Sequence, residues 1–195
     1  MIFDNQYQQQ RIEKADKLRE MGINPYQNRV VKECTNKEFL EKYGIILLYL
    51  PQYKKTYLDG AAFLRSDGTP IIVVTGRYDR LDNFWFVLLH ELGHITLGHL
   101  SEDRPSLADD MSLRGLAGED AIEKEADAFA EEALVPKDLH FDPQAPLSQS
   151  EVRMFAKKHE LNPAILAGKI QFARKNYSVF RNLLGSGEVK GCFVE

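Results

Sequence analysis

The stretch His90-Glu91-Leu92-Gly93-His94 sets two imidazoles four residues apart with a carboxylate beside the first. On a helix, positions four apart share a face one turn apart, so both rings can address one ion. Glu91 lies about 100° round the same turn, within reach of a water at that ion without being a ligand. H-E-x-x-H on a helix is the signature of metal-dependent hydrolysis, with the glutamate as general base. The preceding FWFVLL, residues 84 to 89, marks the helix as buried. Buried imidazoles and a buried carboxylate need partners, and a metal supplies them together. Zn2+ is the expected cofactor, His90 and His94 the expected ligands, and Glu91 the expected catalytic base.

A catalytic zinc takes three protein ligands and leaves one position open. One pattern, H-E-x-x-H-x-x-G-x-x-H, places a third histidine after a helix-breaking glycine. It would need glycine at position 97 and histidine at position 100, where this chain has Leu97 and Leu100. Gly98 and His99 each stand one place off. If the helix runs on to His99, that side chain lies about 140° from His94 and points away from the metal. His99 is then a residue of the helix C-terminus, where the dipole favours positive charge. The segment AIEKEADAFAEEALVP, 121 to 136, offers carboxylates instead. Glu123 and Asp127 share a helical face with the small residues Ala126 and Ala130, which permit close helix approach. Glu123 is the expected third ligand. Asp127 is the expected acceptor for a ligand histidine's free N–H, fixing its tautomer. Glu125, about 200° round from Glu123, is the weaker choice, and Glu131 and Glu132 read as a solvated face.

These helices need a scaffold. Apolar runs at 45 to 50 (IILLYL), 57 to 64 and 71 to 75 (IIVVT) read as strands, the first as a buried one. Gly68-Thr69-Pro70 joins the second and third as an antiparallel hairpin. Asp82 is expected to cap a helix to about Leu100, and 101 to 118 to form a mobile loop. Helices are expected at 5 to 21, 36 to 43, 119 to 135, 148 to 160 and 162 to 175, with Pro163 near the start of the last. The tail after Gly185 is expected to be frayed or extended. The fold class is α+β: a small antiparallel or mixed sheet packed on two zincin-type helices, with additional N- and C-terminal helices.

The chain has 195 residues and 44% hydrophobic residues, enough for a core. Net charge is −4, which does not point to nucleic acid. The charge is uneven: residues 101 to 140 hold twelve Asp/Glu against four Lys/Arg, and 151 to 195 hold eight Lys/Arg against four Asp/Glu. Solvated helix faces explain both, with a basic partner surface as the minority reading. Cys34 and Cys192 lie far apart without a C-x-x-C pattern. With no signal sequence and no apolar run of membrane-spanning length, a cytoplasmic setting is expected.

RYDRLDNFWFVLLHELGHITLGH with EKEADAFAEEALVP, and the hairpin text DGAAFLRSDGTPIIVV, resemble the ImmA/IrrE metallopeptidases over about residues 44 to 175. The resemblance implies zinc on His90, His94 and Glu123 with Glu91 as base. It also implies a protein substrate, a helix-turn-helix repressor or antitoxin encoded nearby, in a toxin–antitoxin, phage or stress-response system. Many members carry a helix-turn-helix domain of their own; the segment ahead of residue 44 is expected to be too short for one, so direct nucleic-acid binding is not the expected role, and the basic C-terminal helices are the one feature that leaves it open. Residues 1 to 43, with NQYQQQRIEKADKLREMGINPYQNR and TNKEFLEKY, resemble the N-terminus of bacterial lysyl-tRNA synthetases. The expected division is therefore 1 to 43 and 44 to 195. The first segment is either a charged helix packed on the peptidase or a docking or dimerisation piece.

The competing functional reading is a catalytically latent zinc module that senses or binds a partner. In that reading Cys34 or Cys192 could serve as an inhibitory zinc ligand. For the active enzyme, Arg77, Tyr78 and Arg80 are candidates for oxyanion stabilisation by position alone, with salt bridging as the plainer role. The strand near 71 to 75 is the expected edge for a substrate strand.

Overall fold

The computed structural model describes residues 35 to 52, 57 to 110 and 119 to 193. The expected helix at 5 to 21 and Cys34 lie outside the described residues. The chain divides into two compact units at Thr35/Asn36, and the second, Asn36–Glu195, carries the fold described below.

Helix α1, Asn36–Lys42, buries Leu40 and leads into strand β1, Ile46–Leu50. Strands β2, Leu58–Leu64, and β3, Pro70–Thr75, form the expected antiparallel hairpin, with Ala62 opposite Ile72. Its turn is closed by Gly68 at φ +81°, a conformation that suits glycine. Asp67 accepts a hydrogen bond from the Thr69 N–H at 3.0 Å in the same turn. The sheet is mixed, in the order β1-β3-β2-β4, with β1 parallel to β3.

The strands differ from expectation in three places. Residues 71 to 75 lie in the centre of the sheet, with β1 on one side and β2 on the other, so this strand has no edge to offer a substrate. Its four consecutive buried residues, Ile71 to Val74, fit that central place. The apolar segment 45 to 50 takes an outer position instead, and Leu48 and Leu50 are exposed. The expected loop at 101 to 118 contains strand β4, Ser106–Asp110, antiparallel to β2. A short polar edge strand carries little of the alternating apolar signal that reveals a strand.

Helix α2, Leu81–Thr96, packs on β2 and β3. Its N-cap is Arg80 rather than Asp82; Asp82 sits in the first turn, where a carboxylate opposes the positive helix end. Helix α3, Glu119–Leu134, packs along α2, and Val135-Pro136 ends it. Helices α4, Gln149–Lys158, and α5, Pro163–Arg174, follow. Ser148 and Glu151 form a reciprocal capping box at the start of α4. Asn162 caps α5, and Pro163 occupies its first turn.

Among the described residues, most of the larger buried side chains fall into two clusters. One joins Leu40, Leu47, Ile72 and Val74 to Phe84, Val87 and Leu88 of α2. The other joins Val152 and Ala156 of α4 to Leu166 and Ile170 of α5. Residues 186 to 193 of the tail pack on the first cluster rather than fraying. Val189 is buried in the first cluster, and Phe193 stacks on Tyr49 with ring centroids 4.5 Å apart. Asp79 holds the tail by accepting the N–H groups of Val189 and Lys190 at 2.9 and 3.0 Å.

Candidate metal centre

Helix α2 directs His90, Glu91 and His94 inward, each no more than 2% exposed. The two imidazoles converge, their Nε2 atoms 3.0 Å apart. From α3, Glu123 places Oε2 3.1 Å from His90 Nε2 and Oε1 3.5 Å from His94 Nε2. Helix approach allows this convergence. A Cβ on Gly93 would stand only 3.3 Å from the Ala126 Cα, and Ala126 and Ala130 are wholly buried between the helices.

His90, His94 and Glu123 are the group that could hold a metal ion among the described residues. Tetrahedral ligands about 2.0 to 2.1 Å from a zinc ion stand about 3.3 Å from one another. The observed separations of 3.0, 3.1 and 3.5 Å bracket that spacing. Two neutral nitrogens and one carboxylate are also a donor set that zinc favours in catalytic sites. The residues therefore fit the ion.

Asp127 lies one turn beyond Glu123 on α3, and its Oδ1 is 2.9 Å from His90 Nδ1. That contact leaves Nε2 of His90 facing Glu123 and His94. Burial lowers the pKa of His90, but hydrogen bonds to Asp127 and Glu123 and the charge of Glu91 outweigh it and raise the value to about 10. His94 is lowered to about 4 by burial and by the positive charge of His90. Without metal, the pair thus holds a proton on His90 and leaves His94 neutral.

The Glu91 carboxylate lies against β2. A Cβ on Gly60 would come within 2.5 Å of Glu91 Oε1 and of Val87 Cγ1. Gly60 sits where the β2–β4 register slips between Leu58 and Ala61. Such irregularities often stand beside active sites, because they change how the strand presents its neighbours. Sequence reasoning did not single out Gly60; a glycine interrupting a strand pattern is the signal that could have found it.

His99 differs from expectation in orientation. The helix stops at Thr96, and Gly98 takes a left-handed φ of +73°. The His99 N–H bonds back to the His94 carbonyl at 3.0 Å and the Gly98 N–H to the Ile95 carbonyl at 3.2 Å, which is a Schellman helix end. The chain therefore turns back, and His99 Nδ1 comes to 3.0 Å from His94 Nδ1. His99 does not join the three converging donors, yet it faces His94 rather than away from it. Its Nε2 lies 3.0 Å from Oε2 of Glu125, which the sequence reading had set aside.

The remaining candidates take plainer places. Arg77 pairs with Asp59, and Arg80 with Asp82 and Gln171, so both guanidiniums are engaged in structural contacts. The Cys192 thiol is exposed and donates to the Glu188 carbonyl at 3.3 Å, outside the metal-type group. A cavity of about 750 Å³ is lined by Phe86, Val87, Leu134, Ile165 and Phe172. Phe86 and Val87 stand one turn before His90 and Glu91, so the cavity adjoins the candidate site.

Two helix-borne histidines and a facing carboxylate, beside a buried glutamate and a small mixed sheet, define a metallopeptidase-like domain. The sequence profile of the IrrE N-terminal-like domain (Peptidase_M78) matches residues 40 to 170, and the chain belongs to that family. A separate similarity concerns the N-terminal part. There the chain is 58% identical over 45 residues to a lysine–tRNA ligase of Helicobacter pylori (strain P12), a match covering 23% of this chain and 9% of the ligase. It is 49% identical over 43 residues to the lysine–tRNA ligase of Wolinella succinogenes, covering 22% and 8%. The chain thus spans under a tenth of the length of these curated relatives.

Proposed function

We propose that the chain is a zinc-dependent endopeptidase that cleaves a protein regulator, a repressor or antitoxin encoded nearby. The observation that carries the reading is the convergence of His90 Nε2, His94 Nε2 and Glu123 beside the buried carboxylate of Glu91. Membership of a peptidase family supports the reaction class. Among the described residues, no helix is long and apolar enough to cross a membrane.

His90, His94 and Glu123 would hold the ion. When bound, zinc supplies Lewis acidity that brings the pKa of a water toward neutrality. Glu91 takes the proton from the attacking water and later delivers it to the leaving amine. Water thus adds across the peptide C–N bond, giving a carboxylate and an amine. Asp127 holds the His90 ring by its Nδ1 and keeps Nε2 turned toward Glu123. Among the described residues the outer strands of the sheet are β1 and β4, and β4 pairs with the strand that carries Gly60. Strand β4 is therefore the edge we assign to an extended substrate.

Incubation of the zinc-loaded protein with that regulator, read by intact-mass spectrometry, tests the reading. Two new fragments should appear with the wild type and not with Glu91→Gln, which should retain its zinc. Cleavage at an equal rate by the variant removes Glu91 as base. Zinc binding and regulator binding without cleavage would favour the latent-sensor reading instead.

A further inference from the structure

The two histidines of the candidate metal group have different outer contacts. His90 Nδ1 meets a carboxylate directly, Asp127 at 2.9 Å. His94 Nδ1 meets another imidazole, His99, at 3.0 Å, and the far nitrogen of that imidazole meets Glu125 at 3.0 Å. The same pattern, ring N–H toward an acceptor that ends in a carboxylate, thus occurs at both histidines by different means.

We propose that His99 is a positioning residue for the metal site, which fixes the tautomer of His94 and passes its hydrogen bond to Glu125. The proposal rests on the metal reading above.

The tautomers assign themselves from that reading. A histidine that offers Nε2 to a metal keeps its proton on Nδ1. His94 Nδ1–H can donate to His99 Nδ1 only if that nitrogen carries a lone pair. A neutral His99 then bears its proton on Nε2 and donates it to the Glu125 carboxylate. Each nitrogen in the chain therefore has one role, and the chain of donors runs outward without a conflict. A ligand histidine with its outer N–H engaged is held in orientation and made more basic.

The backbone explains why His99 can do this. Gly98 in the left-handed region ends α2 one residue before His99, and the His99 N–H returns to the carbonyl of His94. The same residue is thus tied to His94 by its main chain and its side chain. The His99 side chain is only 7% exposed, while Glu125 is 65% exposed. The contact to His94 is accordingly sheltered, and the relay ends at the surface. Substituting Glu125 therefore perturbs the relay at a solvent-facing position and spares the core.

Long-range 1H–15N correlation spectra of the zinc-loaded full-length protein test the tautomers directly. His94 should appear as the Nδ1–H form and His99 as the Nε2–H form. A His99 with its proton on Nδ1 overturns the proposal. Zinc affinity, measured by competition with a chromogenic chelator, gives the second readout. His99→Leu should weaken binding by about 10- to 100-fold, the usual scale for losing an outer partner of a ligand histidine. His99→Gln, which keeps an acceptor and a donor, should recover part of that loss. Glu125→Ala should weaken binding less than His99→Leu, with an unchanged fold by circular dichroism. Affinity within twofold of wild type in His99→Leu overturns the proposal. Complete zinc loss in His99→Leu, together with zinc retention in Glu123→Ala, also overturns it, because His99 would then be a ligand. A wild-type protein that takes up no zinc removes the metal reading itself, a result distinct from the others.

Discussion

Gly60 and Glu91 are matched across the sheet–helix interface: the absent side chain of one is the space that holds the carboxylate of the other. A Cβ at position 60 would stand 2.5 Å from Glu91 Oε1. Gly60→Ala should therefore push the carboxylate and Val87 aside while leaving His90, His94 and Glu123 in place. Displacing a reacting group by about 1 Å can cost about 100-fold in rate. Turnover should fall by about 10- to 100-fold at unchanged zinc content, measured by peptide cleavage alongside metal analysis. Unchanged turnover would mean that Glu91 need not occupy that space.

Helices α2 and α3 must be close for the histidines and Glu123 to converge. Ala126 is fully buried at their contact, facing Gly93. Ala126→Leu should overpack the contact, at a cost of about 1 to 3 kcal/mol. Its sharper effect should be on zinc, since separating the helices moves Glu123 from the histidine pair. A chelator should then strip zinc faster from the variant than from the wild type. Identical release rates would show that the helices tolerate the larger side chain without opening the site.

Zinc uptake should depend on pH through His90. In the metal-free protein its pKa is raised to about 10, so at neutral pH the ring is protonated on both nitrogens. Zinc must displace the proton from Nε2. Because the proton competes with the metal, affinity rises with pH, by about tenfold per unit below the pKa for one proton displaced. Calorimetry in buffers of different ionisation heat should show about one proton released per zinc bound near pH 7. A zinc affinity that stays flat as pH rises above neutrality would contradict the assignment.

The C-terminal tail should matter to stability. Asp79 accepts two tail N–H groups, and Val189 is buried beside α2. Asp79→Ala leaves both donors without that acceptor; one contact is part-buried and the other exposed, so the cost should be about 1 kcal/mol. The melting temperature should fall, and truncation after Gly185 should lower it further by removing Val189 and Phe193 from the core. A truncated protein as stable as the full chain would show that the tail adds nothing.

The sequence disclosed the parts of the site that depend on spacing within a helix. His90 and His94 four apart, and Glu123 and Asp127 four apart, need only helical periodicity to share a face. It disclosed the β2–β3 hairpin for a similar reason, since Gly68-Thr69-Pro70 punctuates two apolar runs. What it did not disclose depends on where elements end and what they meet. Extending α2 to Leu100 turned His99 outward, whereas Gly98 stops the helix and returns His99 to His94. Strand β4 is short and polar, and its pairing with β2 is a long-range contact with no local signature. The strand 71 to 75 was legible as a strand but not as a central one, because apolar composition reports burial and not neighbours.

Trp85 packs against both hydrophobic clusters and lies five residues ahead of His90 on the same helix. It is also the single tryptophan of the chain. The protein's one tryptophan fluorophore therefore sits where its two hydrophobic clusters meet, and it can be excited selectively over the eight tyrosines. Its emission reports the seam between the sheet side and the C-terminal helices, so separation of those halves can be followed in the unlabelled molecule.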